Sequence, residues 1–238
     1  MLLFYIRHGD PIYTPDSLTP KGERQAEALA KRLAMIGLDE IYVSTSQRAR
    51  LTAQPTCELL KLAPVDLDWC HENHAWRELA FPDENGRRRW LFQNDAVRPF
   101  LVSSELRALD RQWYRHPKFA DTTCEAGMER IQKETDAFLE RLGYSHCAEE
   151  GCYRAEHPHD RRIALFAHQG FGLAFLSCLL DIPYPMICSH FDMGHTGMTV
   201  IEFGDLNGIS IPKVLQLSND SHLYREGLPT DYQNRLRF

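Results

Sequence analysis

The pattern of apolar and polar residues predicts strands that alternate with helices. Leu2–Ile6 is a continuous apolar run, which is typical of a buried strand. After Thr19, which suits the N-cap position, apolar residues recur every three or four positions and predict an amphipathic helix. Residues 39–44 and 47–61 repeat this strand–helix order, and Pro55 is expected to kink or restart the second helix.

The rest of the chain outside residues 80–160 shows the same alternation. A short strand is predicted over residues 65–69, another over residues 163–167, and a mostly apolar helix over residues 170–181. Two final strands, 198–203 and 209–217, are predicted on either side of a turn rich in Gly, Asp and Asn. Repeated strand–helix units imply a largely parallel sheet covered by helices on both faces. The sequence therefore predicts a three-layer α/β/α sandwich.

Residues 80–160 interrupt this alternation. Two stretches in this region, 103–116 and 123–142, are helical by content. No repeat, low-complexity tract or flexible linker separates the region from the rest of the chain. We therefore expect a single domain over residues 1–238, with a helical cap insertion at about 80–160.

Composition narrows the class of protein. The chain has 238 residues, of which 43% are hydrophobic and 25% charged, as in ordinary globular proteins. No apolar run approaches the roughly 20 residues that span a bilayer, so no membrane partner is expected. The net charge of −6 disfavours nucleic acid as a partner. Seven scattered cysteines and an N-terminus without a signal-peptide pattern predict free thiols and a cytoplasmic location.

Polar side chains that can bind an anion follow three of the predicted strands. Arg7 and His8 follow the first strand, Arg48 lies just after the second, and His168 and Gln169 follow the strand over residues 163–167. Parallel sheets bind ligands beyond the carboxyl ends of their strands, so these side chains are expected at one rim. Arginine matches phosphate oxygens, and imidazole serves as nucleophile or donor. The cluster predicts a site for a multiply charged anion.

Four motifs in order together resemble the histidine phosphatase superfamily, and more narrowly its branch shared with the cofactor-dependent phosphoglycerate mutases. The motifs are Arg7-His8-Gly9, residues 18–26 (LTPKGERQA), residues 44–53 (STSQRARLTA) and Ala167-His168-Gln169-Gly170. The resemblance implies a phosphoglycerate mutase-like fold and a phosphohistidine formed on His8. It also implies that Arg7, Arg48, His168 and Gln169 bind the phosphate of a small phosphomonoester, without a metal or organic cofactor.

The resemblance further implies a carboxylic acid at the edge of the insertion, which protonates the leaving group. The matching segment is Trp76-Arg77-Glu78-Leu79, so Glu78 is predicted to be the general acid, with Asp83 and Glu84 as the alternatives. Many members carry an asparagine a few residues after the first motif. This chain has no asparagine there. Either Tyr13 or Thr14 takes its place as a phosphate ligand, or the phosphate pocket is looser than in those members.

The long basic and aromatic signatures of the glycolytic mutases around the acid are missing, so hydrolysis of a phosphomonoester is favoured. A phosphoglycerate mutase, which would need a bisphosphorylated primer, stays the alternative. A catalytically silent phosphate-binding protein is the third hypothesis, and the intact histidine, arginine and carboxylate set argues against it. A homodimer is left open, as is the identity of the substrate.

Other polar residues are predicted to be structural. Arg87, Arg88 and Arg89 are expected to form a solvated face rather than to bind a second anionic group. Residues 71–74 (HENH) lack the second histidine at the spacing that zinc proteases use. A further set of possible zinc ligands comprises His146, Cys147, Cys152, His157 and His159. Their spacing matches no standard zinc pattern, and residues 149–151 are predicted to form a turn between two short strands. No metal is therefore expected at this set. The sequence does not place His190, His195 and His222.

Overall fold

A computed structural model of the chain describes residues 1–230. The strands are β1 (Leu2–Arg7), β2 (Pro11–Tyr13), β3 (Asp16–Leu18), β4 (Glu40–Ser44), β5 (Val65–Leu67), β6 (Ala80–Pro82), β7 (Arg88–Trp90), β8 (Tyr144–Cys147), β9 (Cys152–Ala155), β10 (Arg162–Ala167), β11 (Met198–Glu202), β12 (Ile209–Ser210) and β13 (Lys213–Asn219). The helices are α1 (Pro20–Ile36), α2 (Gln47–Leu60), α3 (Glu72–Leu79), α4 (Arg98–Leu101), α5 (Ser104–Arg107), α6 (Cys124–Arg141), α7 (Gln169–Leu180), α8 (Tyr184–His190) and α9 (Ser221–Arg225).

The central sheet has six strands in the order β13-β11-β1-β10-β4-β5. Strands β1, β10, β4 and β5 are parallel, β11 runs antiparallel to β1, and the edge strand β13 runs antiparallel to β11. Alternate residues of β1 point to opposite faces. Leu3 and Tyr5 pack on the face that α7 covers, and Phe4 and Ile6 pack on the face of α1 and α2. The predicted three-layer α/β/α sandwich with a mostly parallel sheet is confirmed.

Helix α1 begins as predicted, because the Thr19 side chain accepts a hydrogen bond from the Gly22 amide at 3.0 Å. Helix α2 continues through Pro55, so the helix does not restart at that proline. A proline removes one backbone hydrogen bond from a helix. Ala49 and Ala53 are fully buried against the sheet, and this packing holds the helix on both sides of the lost bond.

The insertion at 80–160 is more irregular than predicted. Helix α6 matches the predicted 123–142, but the predicted helix over 103–116 is wrong. That stretch holds the four-residue α5 and a 3-10 turn over Asp110–Arg115, and Asp110 has a φ of +50°, which no α-helix accommodates. Two hairpins, β6–β7 and β8–β9, complete the region, the second around the predicted turn at 149–151.

The predicted strand over 209–217 is also wrong, since two strands of different sheets lie there. Strand β12 pairs with β9 in a three-stranded sheet, whereas β13 pairs with β11 in the central sheet. Pro212 separates them, and it has no amide hydrogen to donate to a continuous ladder. No helix among residues 1–230 is long and apolar enough to cross a membrane.

A close approach of two backbone segments fixes the loop that follows His8. A Cβ atom at Gly22, in the first turn of α1, would lie 2.2 Å from the carbonyl oxygen of Asp10. We expect Gly22→Ala to lower the free energy of unfolding by about 1–3 kcal/mol, because the loop must move to avoid the clash. Urea denaturation measures this change. Gly204→Ala is the control, since nothing lies within 4 Å of its Cβ position; an equal loss in both variants would contradict the explanation.

Candidate active site

The ends of adjacent strands bring the predicted histidines together. In the pairing of β1 with β10, Arg7 lies beside Ala167, and the His8 amide donates a hydrogen bond to the Ala167 carbonyl at 3.0 Å. His8 and His168 therefore leave the sheet side by side, and their ring centroids are 5.3 Å apart. Strand β4 lies next to β10 and leads into α2, whose second residue is Arg48. The structure thus brings all four of these polar side chains to one rim.

The His8 imidazole is buried and held in one tautomer. Its Nδ1 lies 2.7 Å from the carbonyl oxygen of Gly9. A carbonyl oxygen only accepts hydrogen bonds, so Nδ1 carries the proton and Nε2 carries a lone pair. Burial, together with the charges of Arg7 and Arg48, holds the pKa of His8 well below its usual 6.5. His8 is therefore a neutral base with Nε2 as its nucleophilic atom.

Two largely buried guanidinium groups flank His8. Arg7 donates to the Met193 carbonyl, and its Nη2 lies 3.0 Å from His195 Nε2. Arg48 donates to Asp16 Oδ1 at 2.8 Å, and its Nη2 lies 3.2 Å from His168 Nδ1. The Nε atoms of both arginines are buried without a hydrogen-bond partner among residues 1–230. The oxygens of a bound anion would satisfy such donors.

His168 is fully buried beneath the site. Its Nε2 lies 2.8 Å from Ser44 Oγ, and the Tyr5 hydroxyl donates a hydrogen bond to its carbonyl oxygen at 2.5 Å. Burial and the neighbouring His8 and Arg48 lower the pKa of His168 well below 6.5. Gln169, the first residue of α7, faces the cavity above, and its side-chain amide donates to Asp192.

A cavity of about 640 Å³ opens above these groups. It is lined by Arg7, His8, Tyr13, Asp16, Arg48, His71, Glu72, Asn73, Trp76, Trp90, Gln93, Gln169 and Gly170. A second cavity of about 670 Å³ lies between α6 and α8, and none of the predicted site residues lines it. Of the two candidates to replace the missing asparagine, Tyr13 lines the site, with its ring centroid 5.5 Å from the Arg48 guanidinium carbon, and Thr14 does not.

Two carboxylates line the cavity: Asp16 accepts hydrogen bonds from Arg48 and the Gln47 amide, and Glu72 lies beside His168. The Glu72 Oε2 atom lies 3.2 Å from His168 Nδ1 and 3.9 Å from Arg48 Nη2. Glu78, the predicted acid, does not line this cavity: Arg130 binds it through two hydrogen bonds of 2.7 and 2.6 Å. Six positions along a helix turn a side chain by about 240°, so the two glutamates of α3 face different sides. The structure thus places Glu72, and not Glu78, beside His8 and His168.

The sequence contains a signal for Glu72. Residues 71 and 72 come after β5, the neighbour of β4 in the parallel part of the sheet, through a single 3-10 turn. The rule that ligands bind beyond the carboxyl ends of parallel strands therefore applies to β5 as well. Sequence reasoning that treats the segment HENH only as an incomplete zinc motif leaves Glu72 out of the candidate catalytic acids. The alternatives Asp83 and Glu84 do not line the cavity either, and Asp83 binds Arg89 at 2.8 Å.

The remaining histidines have separate positions. His195 joins the site, with its ring centroid 5.9 Å from that of His8 and its Nδ1 3.4 Å from Asp10 Oδ1. His222 is buried elsewhere and lies 3.0 Å from Thr196 Oγ1, and His190 is exposed at the end of α8. No signal in the sequence ties His195 to the site, because its loop reaches the rim only through the antiparallel pairing of β11 with β1.

Within residues 1–230, two groups of side chains bring metal-ligating atoms within 4.8 Å of one another: His8 with Glu72 and His168, and Cys147 with Glu150 and Cys152. The first group shares its space with Arg7 and Arg48, and two guanidinium charges favour an anion over a cation. The second lies in the β8–β9 hairpin, where Cys147 and Cys152 are directly opposite each other. The sequence-based zinc set does not assemble there: His146 contacts Asp136 and Asp181, and His159 contacts the Leu142 carbonyl.

The three arginines at 87–89 do not line the cavity. Arg88 donates hydrogen bonds to the carbonyl oxygens of Trp76 and Arg77, near the end of α3, at 3.3 and 2.6 Å. Arg89 is paired with Asp83. The Arg88 contacts attach the β6–β7 hairpin to α3, and the Arg89–Asp83 pair lies within the hairpin, so both arginines have structural contacts.

A neutral histidine nucleophile between two arginines, with a carboxyl group beside it, is suited to phosphoryl transfer, which demands positioning and charge stabilisation above all. The fold and this cluster are those of an α/β enzyme for phosphoryl transfer. The chain belongs to the histidine phosphatase superfamily (branch 1), whose family profile matches residues 3–211. The predicted family is confirmed, and with it the enzyme class, a phosphatase of this superfamily.

Individual proteins with similar sequence or structure carry phosphatase names. A protein of Hydrogenobacter thermophilus named "Putative phosphoserine phosphatase 2" is 26% identical over 153 residues, which cover 60% of this chain and 68% of that protein. The structure of a mycobacterial glucosyl-3-phosphoglycerate phosphatase matches with a TM-score of 0.57 at 19% identity, over 91% of this chain and 98% of that chain. A mutant phosphoserine phosphatase from Entamoeba histolytica, in complex with phosphoserine, matches with a TM-score of 0.57 at 18% identity, over 93% and 98%.

Proposed function

We propose that this protein hydrolyses small phosphomonoesters through a phosphohistidine on His8. The observation that carries the proposal is the orientation of His8: its Nδ1 proton is engaged by the Gly9 carbonyl, and its Nε2 lone pair lies in the site that Arg7 and Arg48 flank. Arg7, Arg48, His168 and Gln169 are proposed to bind the phosphate, as the sequence predicted. The charge of the two guanidinium groups offsets the charge of the phosphoryl group during transfer.

In the first step, His8 Nε2 forms a bond to phosphorus while the bond between phosphorus and the ester oxygen breaks. That oxygen needs a proton, and we assign the donor to Glu72 in place of Glu78. Burial raises the pKa of Glu72 above its usual 4.5, although Arg48 and Arg7 act in the opposite direction. A raised pKa favours the protonated carboxyl group that such a step requires.

In the second step, the Glu72 carboxylate takes a proton from water, and the water oxygen attacks the phosphorus. The bond between Nε2 and phosphorus breaks, inorganic phosphate leaves, and His8 and the protonated Glu72 are restored. A mutase would instead return the phosphoryl group to a bound product. Isomerisation of 3-phosphoglycerate in the presence of a bisphosphorylated primer would reveal that activity.

Two further points belong to the proposal. The insertion at 80–160 sets the size of the substrate, because Trp90 and Gln93 supply cavity wall from that segment while the catalytic groups come from strand ends.

We place the protein in the cytoplasm, since each of its cysteines, all of them within residues 1–230, is a free thiol.

Turnover of p-nitrophenyl phosphate in the presence of EDTA tests the proposed function. We expect p-nitrophenol to be released at the same rate with and without the chelator, because His8 and the arginines supply the nucleophile and the positive charge. The rate is measured by absorbance, with purified protein dialysed against EDTA. Loss of turnover on chelation, restored by added Zn²⁺ or Mg²⁺, would contradict the proposal and indicate a metal-dependent hydrolase.

A further inference from the structure

The part of the cavity that is left for the leaving group has an aromatic wall. Trp76 projects from α3 and Trp90 from the end of β7, and their ring centroids are 5.1 Å apart at an interplanar angle of 75°. Tyr13 lines the same cavity and exposes 68% of its surface. Indole and phenol faces attract flat apolar or aromatic groups.

The position of Trp90 is fixed by tight packing. A Cβ atom at Gly170, in the first turn of α7, would lie only 2.3 Å from the Trp90 ring, so the indole rests directly on the glycine backbone. On its other side the ring stacks on Phe92 at a centroid distance of 5.8 Å. Trp90 is only 8% exposed, so it is a rigid support for Trp76, which packs against it and is the more exposed of the two indoles. A substrate ring therefore meets Trp76 in a position that needs no rearrangement.

The polar groups near this wall are uncharged amides. Asn73 and Gln93 are exposed and line the cavity, and neither side-chain amide has a hydrogen-bond partner within the described part of the chain. An amide supplies both a donor and an acceptor. Such groups suit the hydroxyl, carbonyl or ring nitrogen atoms of a neutral ligand.

Charge in the cavity is arranged for one anionic group only. Among the described lining residues, the permanent cations are Arg7 and Arg48, and both lie beside His8. Asp16 and Glu72 add negative charge, and burial lowers the pKa of His71 and so favours its neutral form. The nearest arginine-rich segment, 87–89, is engaged by α3 and Asp83. A carboxylate on the leaving group would therefore meet no cation along the aromatic wall.

Building on the proposed phosphatase activity, we propose that the substrate is the phosphate monoester of an uncharged alcohol that carries an aromatic or heteroaromatic ring. The phosphate lies between Arg7 and Arg48, and the ring lies against Trp76, which Trp90 holds in place. The amides of Asn73 and Gln93 bind polar atoms at the edge of the ring.

Three primary alkyl phosphates test this proposal: benzyl phosphate, ethyl phosphate and 2-phosphoglycolate. Benzyl and ethyl phosphate release alkoxides of similar basicity, so the ring is the main difference between them. We expect kcat/KM for benzyl phosphate to exceed that for ethyl phosphate by about tenfold. The difference should arise mostly in KM, because the benzyl ring contacts the Trp76 indole. The value for 2-phosphoglycolate should lie at or below that for ethyl phosphate, because its carboxylate has no cation.

Variants at Trp76 link the preference to the wall. Trp76→Ala should bring the ratio of kcat/KM for benzyl phosphate to that for ethyl phosphate close to one, and a circular dichroism spectrum like that of the wild type shows that the variant is folded. Trp76→Phe, which keeps an aromatic face, should retain most of the advantage.

The outcomes separate the two proposals. Equal values for benzyl and ethyl phosphate, or a preference for 2-phosphoglycolate, would overturn the substrate class and leave the phosphatase activity standing. A benzyl advantage that survives Trp76→Ala would also overturn it. If none of the three esters nor p-nitrophenyl phosphate is hydrolysed, the proposed function itself fails, and the substrate class falls with it.

Discussion

His8→Ala is expected to lower kcat for p-nitrophenyl phosphate by about 10⁴-fold or more, to the limit of detection. Alanine removes the atom that forms the bond to phosphorus, and loss of a covalent nucleophile typically costs several orders of magnitude. The neighbouring cations remain in place, so phosphate should still bind. Steady-state rates and the affinity for inorganic phosphate, measured by calorimetry, check the two parts of this expectation.

Wild-type protein quenched in base during turnover should carry a phosphoryl group on His8, which acid then removes, as is usual for phosphohistidine. His157→Ala is the matched control, because this histidine is exposed and lies outside the cavity lining. It should keep the wild-type rate and the phosphoryl group. Full activity in His8→Ala, or a phosphoryl group that survives in it, would rule out His8 as the nucleophile.

Glu72→Gln is expected to lower kcat for alkyl phosphates such as benzyl or ethyl phosphate by about 10²- to 10⁴-fold. An alkoxide is a poor leaving group without a proton, whereas p-nitrophenolate leaves without one. The step that transfers the phosphoryl group from p-nitrophenyl phosphate to His8 should therefore slow much less. Rapid-mixing experiments, which separate that step from the hydrolysis of the phosphohistidine, measure the contrast.

Glu78→Gln is the matched control on the same helix. It should leave the rates for all substrates within about twofold of wild type, because its carboxylate faces Arg130 and not the cavity. The loss of that ion pair should instead lower the free energy of unfolding by about 1 kcal/mol. A large rate loss in Glu78→Gln, with Glu72→Gln unaffected, would restore the assignment made from the sequence.

The pH profile follows from the same two groups. His8 reacts as the neutral imidazole, so kcat for an alkyl phosphate falls as pH drops through the pKa of His8, which lies well below 6.5. Glu72 reacts as the protonated acid, so the rate falls as pH rises through its pKa, which lies above 4.5. Glu72→Gln should lose the alkaline fall and keep the acidic one. An alkaline fall that is identical in the variant would assign it to another group.

The floor of the candidate site could be predicted because each of its members follows a predicted strand. Arg7 and His8, Arg48 and His168 need only the rule on strand ends, and the parallel sheet then brings residues 160 positions apart into contact. Glu72 obeys the same rule at β5. That strand is only three residues long and mostly exposed, so its apolar pattern is too weak to mark the next residues as part of a site.

The insertion could not be predicted in the same way. Its short helices and hairpins, such as α5 and β6–β7, are held by contacts with distant elements rather than by local periodicity. Arg88, for example, attaches its hairpin to α3 through two carbonyl oxygens. The wall formed by Trp76 and Trp90 depends on this attachment, so its existence required the three-dimensional structure.

The place of β1 in the sheet has a consequence for the order of events during protein synthesis. This strand leaves the ribosome before every other strand of the central sheet, yet it lies between β10 and β11, which contain residues 162–167 and 198–202. Both of its edges stay unpaired until residues 162–167 have been made. Such long-range pairing is slow, and unpaired edges favour aggregation. A nascent chain that stops short of β10 therefore carries His8 but no partner strand to hold it, and it is a natural target for chaperones.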